Sequence, residues 1–198
     1  KALTLPNTSL HLPALAGADP KELREAFAVL AHTAVIRELT VHPPGIDAES
    51  WEILEGLAGS IAVSAENMDP RAPAFQSLHE MAVLLETYHS VHMTFDVCHW
   101  IEAGGRLDAP EVKDFLDEFK PRISKLHVSV PQSAHQMYDN FAQVHHCLVA
   151  QSSQSLSFPA VCAVGAAVPW VIEGYVPFEG YPVLLEEIAL LQRCRSSV

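Results

Sequence analysis

The sequence predicts an α/β fold whose parallel strands close toward a (β/α) barrel, and three observations point that way. Short apolar or β-branched runs alternate with stretches that carry apolar residues at helical spacing. The chain has 198 residues, 49% of them hydrophobic and 18% charged, which is enough to bury a core and argues against disorder or a charged coiled coil. Nearly every strand-like run ends in a His, Asp or Glu. Alternating strands and helices imply parallel pairing through right-handed crossovers. The polar strand ends favour a TIM-type barrel over a doubly wound sheet, because a barrel gathers its strand ends around one mouth whereas an open sheet spreads them along an edge.

In chain order, six strands are expected at 3–12, 36–42, 60–67, 91–97, 123–130 and 168–176. A helix at 20–34 places Leu23, Phe27, Leu30 and Ala31 on one face, and a second at 48–58 does so with Trp51, Leu54 and Leu57. Asp19 and Asp47 are the expected N-caps, with Pro20 at a first helical position where its missing N–H costs nothing. Further helices are expected at 75–88, 110–119 and 181–193, with Trp51, Phe75, Phe115 and Phe119 as core packing. Between 131 and 165 the pattern weakens; 151–157 reads as an exposed loop before a short helix that leads into the last strand. The whole is a single domain over 1–198.

Twelve basic against 24 acidic residues leave a formal charge of −12, which repels nucleic acid and anionic membrane. Cys98, Cys147, Cys162 and Cys194 form no close pair in sequence, so neither a zinc knuckle nor a disulfide framework is suggested, and a reducing cytoplasm is the expected compartment. The most apolar stretch, 156–172, is broken by Ser157, Pro159, Gly165 and Pro169 and is shorter than the roughly 20 residues of a spanning helix. The N-terminus has no small-residue cleavage site and does not read as a signal peptide.

The 11 histidines matter most for function, because imidazole is the side chain best suited to metal binding and to proton transfer near neutrality. His11 closes the first expected strand, His42 the second, Glu66 the third, Asp96 the fourth with His99 just after it, His127 the fifth and Glu173 the sixth. Gathered at one mouth, such imidazoles and carboxylates share a divalent ion. Carboxylates on apolar strands are costly unless a metal or cation sits beside them. The competing reading makes Asp96 a helix cap, packs His99 on Trp100 and sets His42 against Pro43 and Pro44 in a rigid turn. His32, His79, His89, His92 and His135 fall on helices or helix ends and read as surface residues.

The segments Ser9-Leu-His-Leu-Pro13, Leu39-Thr-Val-His-Pro43, Val63-Ser-Ala-Glu-Asn67, Thr94-Phe-Asp-Val-Cys-His-Trp100, Lys125-Leu-His-Val-Ser129 and Val171-Ile-Glu-Gly174 together resemble the xylose-isomerase-like TIM barrels. That superfamily includes sugar isomerases, ketose epimerases and endonuclease-IV-like apurinic-site nucleases. The resemblance implies a central metal held by Glu66, Asp96, His127 and Glu173. Mn²⁺, Mg²⁺ or Co²⁺ would suit such an oxygen-rich set, and Zn²⁺ would suit one with more histidines. It also places His11, His42 and His99 at positions where the nuclease branch holds further metals. His145 stands at another such position and is a better match than His146, but Gln143 replaces an Asp of that branch and argues against a third metal. A full barrel takes about 250 residues, and the likeness begins at what corresponds to the third strand of the family pattern. The chain is therefore either a fragment or a reduced barrel whose open edges are covered by a loop or by a partner subunit, making a homo-oligomer.

Three functions follow as expectations. The first is a metal-dependent isomerase or epimerase of a small sugar-like hydroxy-carbonyl compound, with Glu66 and Glu173 as acid and base and His99 orienting a substrate hydroxyl. The second is a phosphodiesterase acting on abasic DNA, which the extra histidines favour and which the charge and the scattered Arg71, Arg106 and Arg122 oppose. The third is a metal-binding or assembly module without catalysis.

Overall fold

The computed structural model describes residues 8–12, 15–32, 36–131, 146–151, 159–165, 167–174, 176 and 180–196. His135, Gln143, His145 and all of the loop expected at 151–157 except Gln151 lie outside the described residues. Strands and helices alternate as expected: β1 (Thr8–His11), α1 (Pro20–Ala31), β2 (Ile36–Val41), α2 (Ala48–Leu57), β3 (Ala62–Glu66), α3 (Leu78–Thr87), β4 (His92–Asp96), α4 (Val97–Glu102) and α5 (Pro110–Glu118). After them come β5 (Ile123–Val128), β6 (Val130–Pro131), β7 (His146–Cys147), α6 (Pro159–Gly165), β8 (Trp170–Ile172) and α7 (Tyr181–Ser196). Single 3-10 turns stand at Lys120–Arg122 and Val149–Gln151.

The chain divides into two compact units, Lys1–Met68 with Ala72–Thr94, and Asp69–Arg71 with Phe95–Val198. In the first, β1, β2, β3 and the start of β4 pair in parallel, with Leu10 beside Leu39, Leu39 beside Val63 and Ala65 beside Met93. The strand period of two sends Leu39, Val41, Val63, Ala65 and Met93 to one face, all fully buried. The other face carries Thr40, Ser64 and Thr94, whose hydroxyls meet in a row, Thr40 to Ser64 at 3.3 Å and Ser64 to Thr94 at 2.8 Å.

Capping defines the helices of this unit. Asp19 accepts the N–H of Lys21 and Asp47 that of Ser50, as expected. The third helix starts later than its apolar spacing suggested, at Leu78, because Ser77 and Glu80 form a capping box and Phe75 sits at φ 64° outside the helix. Phe75 is consequently only half-buried, whereas Trp51 is buried and stacks on Tyr88 with ring centroids 5.4 Å apart. His92 opens β4 and is not a helix residue.

In the second unit β5 pairs in parallel with β8, placing His127 beside Val171. The run expected as one strand over 123–130 breaks at Ser129, and Val130 and Pro131 pair antiparallel with Cys147 and His146. Val112, Phe115, Leu116 and Phe119 are buried here, as are Leu148, Val161 and Val164. Glu187 of α7 has no exposed surface and accepts the N–H groups of Val149 and Ala150 at 3.0 and 2.6 Å. Among the described residues no helix is long and apolar enough to cross a membrane.

Candidate metal centre

Parallel register brings strand ends to one level, and that is what assembles the side chains of the first unit. His11 ends β1 beside Thr40, while Thr40 and Val41 lie beside Ser64 and Ala65, so His42 and Glu66 emerge one step further on. His11 Nε2 and His42 Nε2 are 2.9 Å apart, and Glu66 Oε2 lies 2.9 Å from the first and 3.2 Å from the second. Glu66 is fully buried, and the two imidazoles shield it while remaining partly exposed themselves. The turn after His42 is rigid: Pro43 and Pro44 lead into Gly45 at φ 77°, where a Cβ would lie 2.6 Å from that of Ala16.

In the second unit Asp96 ends β4 and has two roles. Its Oδ1 accepts the N–H of His99 at 2.7 Å and so caps α4, while Oδ2 lies 3.8 Å from His127 Nδ1. The capping role weighed against a ligand role is therefore present together with the approach to His127. His127 Nδ1 is 2.9 Å from Glu173 Oε1, and the other oxygen of Glu173 is 3.8 Å from His146 Nδ1. Ser129 Oγ stands 2.6 Å from that same Nδ1, and the rings of His99 and His146 pack with centroids 5.2 Å apart. Behind Glu173, Gly174 lets two backbones approach closely; a Cβ there would lie 2.5 Å from Leu148 Cδ2 and 2.7 Å from its backbone nitrogen.

His99 Nε2 lies 3.8 Å from Asp69 Oδ2. Burial pushes the Asp69 carboxyl up, but hydrogen bonds from the side chain and backbone of Arg71 outweigh it and hold the group at about 2. Burial pushes the Cys98 thiol far above its usual range, with Asp96 adding to the shift.

These donors fit a divalent ion. Ligands at about 2.1 Å from a common centre stand about 3.0 Å apart at right angles and about 3.4 Å apart at tetrahedral angles. The triangle of His11, His42 and Glu66, with edges of 2.9, 2.9 and 3.2 Å, has those dimensions. Asp96, His127 and Glu173 each offer an atom within 4.8 Å of the others, as do Asp96, His99 and His146. Of the four ligands implied by the resemblance, Glu66 lies in the first unit and Asp96, His127 and Glu173 in the second.

Sequence reasoning ranked His146 below its neighbour, and it also passed over Ser129 and Asp69. The hydroxyl row does have a sequence signal, since Thr40, Ser64 and Thr94 each stand two residues before an expected site residue. His146 has none, because it reaches His99 only through the antiparallel pairing of β6 and β7.

With this arrangement in view, the fold is that of the xylose-isomerase-like TIM barrels, in a form with six parallel strands among the described residues where a full barrel has eight. One solved structure with this fold is a probable 3-DHS dehydratase involved in petrobactin synthesis from Bacillus anthracis. It matches with a TM-score of 0.64 and 14% identity, over 93% of this chain and 74% of that one. Another is a xylose isomerase-like TIM barrel protein from Mycobacterium smegmatis in complex with magnesium, with a TM-score of 0.53 and 11% identity over 96% and 73% of the two chains. No protein-family model and no curated relative matches the sequence. At these identities the likeness defines the fold.

Proposed function

We propose that the chain is a metal-dependent enzyme of small hydroxy-carbonyl compounds, an isomerase or epimerase that moves a proton at the carbon beside a carbonyl. The observation that carries this reading is the contact of His127 Nδ1 with Glu173 Oε1 at 2.9 Å, with Asp96 converging on the same imidazole. Asp96, His127 and Glu173 are the proposed ligands in the second unit and Glu66 that in the first, while His11 and His42, which meet Glu66, belong to the multi-ion site of the second reading below. A bound divalent ion supplies positive charge that stabilises negative charge developing on a substrate oxygen. Glu66 and Glu173 are the proposed acid and base. His99, buried between Asp69 and Asp96, is proposed to orient a substrate hydroxyl. The magnesium bound in one structural neighbour and the net charge of −12 both suit a metal-assisted reaction on a neutral substrate.

A second reading, a phosphodiesterase acting on abasic DNA, is favoured by the donors beyond a single ion, namely His11 with His42 and His99 with His146.

Elemental analysis of protein purified without added metal tests both, run beside Glu66→Ala and His42→Ala. The isomerase reading expects about one equivalent, lost with Glu66 and kept without His42, and solvent deuterium entering a ketose probe such as D-fructose. Two or more equivalents, diminished by either change, together with incision of an abasic duplex would replace it by the phosphodiesterase. A chain that binds no metal would sink both and leave the assembly module.

A further inference from the structure

Glu187 of α7 is a fully buried carboxylate that belongs to none of the donor groups described above. Burying a charge is costly, and an apolar side chain would fill the same space at lower cost. We propose that Glu187 is a positioning residue of the candidate metal centre: it pins the segment 146–150, and that segment in turn holds Glu173 where its carboxylate meets His127. The inference deepens the metal-dependent reading above and rests on it.

The contacts that link Glu187 to the donors all lie within the second unit. One carboxylate oxygen accepts the N–H of Val149 at 3.0 Å and the other that of Ala150 at 2.6 Å. Two successive N–H groups are thus matched by two acceptors in one rigid group, which a carboxylate offers and a glutamine does not. Sliding the turn Val149–Gln151 along α7 would break one of these bonds. Just before that turn, the backbone of Cys147 and Leu148 lies against Gly174, where a Cβ would come within 2.9 Å of the Cys147 carbonyl carbon and 2.7 Å of the Leu148 nitrogen. Glu173 follows the end of β8, and its own N–H reaches the carbonyl of Val128 only at 3.4 Å, a long bond. The close approach of 147–148 to Gly174 therefore supplies much of what fixes the backbone of Glu173, since atoms already in contact pass a displacement on. From there the Glu173 side chain reaches His127 Nδ1 at 2.9 Å and His146 Nδ1 at 3.8 Å.

The test uses the full chain as wild type, Glu187→Ala, Glu187→Gln and Leu85→Ala. The last opens a cavity in the buried core of α3 in the first unit and serves as a control for destabilisation alone. Two readouts are taken at one pH and at a temperature where circular dichroism shows every protein folded: Mn²⁺ binding by calorimetry, and the imidazole ¹⁵N resonances of His127 in protein stripped of metal. Glu187→Ala is expected to weaken Mn²⁺ binding about tenfold or more, as loss of a group that orients a ligand does, and to shift the His127 resonances as Glu173 leaves its Nδ1. Glu187→Gln, which keeps one acceptor, falls between, and Leu85→Ala matches wild type in both readouts. His127 resonances unchanged in Glu187→Ala overturn the proposal, whatever happens to Mn²⁺, and so does a Leu85→Ala protein that moves both readouts as far. The two readings fail separately. Mn²⁺ bound while His127 ignores Glu187 removes the positioning role alone, and His127 that follows Glu187 in a wild type that binds no Mn²⁺ or other divalent ion removes the metal-dependent enzyme alone.

Discussion

Replacing Glu187 by Ala tests how the segment behind His146 is held. The carboxylate has no exposed surface and takes the N–H groups of Val149 and Ala150 at 3.0 and 2.6 Å. The substitution leaves two donors without their acceptor, at about 1–3 kcal/mol for each that stays dry. Val149 is buried, whereas Ala150 reaches water in part, so the second loss is the smaller. The carboxylate's own burial offsets some of this, since it pushes the Glu187 pKa above its usual 4.5 against the pull of the two backbone hydrogen bonds. The expected net loss is about 2–4 kcal/mol, or roughly 5–15 °C in Tm for a chain of this length. Urea unfolding followed by circular dichroism, with calorimetry for Tm, measures it. The pH dependence has a definite sign. A folded-state pKa raised above the unfolded value contributes stability that is present below pH 4.5 and lost as pH rises through the folded value. Wild type therefore loses stability relative to Glu187→Gln as pH increases above 4.5. A Glu187→Ala protein within about 0.5 kcal/mol of wild type would refute the latch, because that is the scale of an ordinary surface change.

Gly174→Ala forces a Cβ to within 2.7 Å of the Leu148 nitrogen and 2.9 Å of the Cys147 carbonyl carbon. Backbone has to move, so a loss of about 1–3 kcal/mol is expected, with lower metal content because Glu173 is adjacent; wild-type stability and loading would show the approach to be slack. Asp69, held at about 2 against its usual 3.8, contributes stability that is present above pH 3.8 and lost as pH falls through 2. In acid titration by circular dichroism the wild type should consequently lose stability more steeply than Asp69→Asn between those values, and parallel curves would count against the Arg71 clamp.

Several parts of the fold could be read from local chemistry. The N-caps at Asp19 and Asp47 and the helices they start needed only a short polar side chain before an apolar stripe. The order of strands and helices followed from a switch between periods of two and 3.6. The late start of α3 was less legible, although Ser77 and Glu80 carry the capping-box spacing, because apolar periodicity extends past a helix end that hydrogen bonding sets. The short α4, begun by Asp96 itself, is too brief to show a period at all.

Taken alone, the sequence determined the parallel α/β class, the strand ends that carry His, Asp and Glu, and the residue types able to hold a divalent ion. These are properties of neighbouring residues, where steric preference and periodicity act within a few positions. Only the tertiary structure decided which donors meet. It set His11 and His42 on Glu66 through the register of three strands, and it gave His146 a place beside His99 through a two-residue antiparallel pair. It also turned Asp69 toward both Arg71 and His99. Distance in space between residues far apart in the chain depends on register, crossover and close backbone approach, and none of these leaves a mark in local composition.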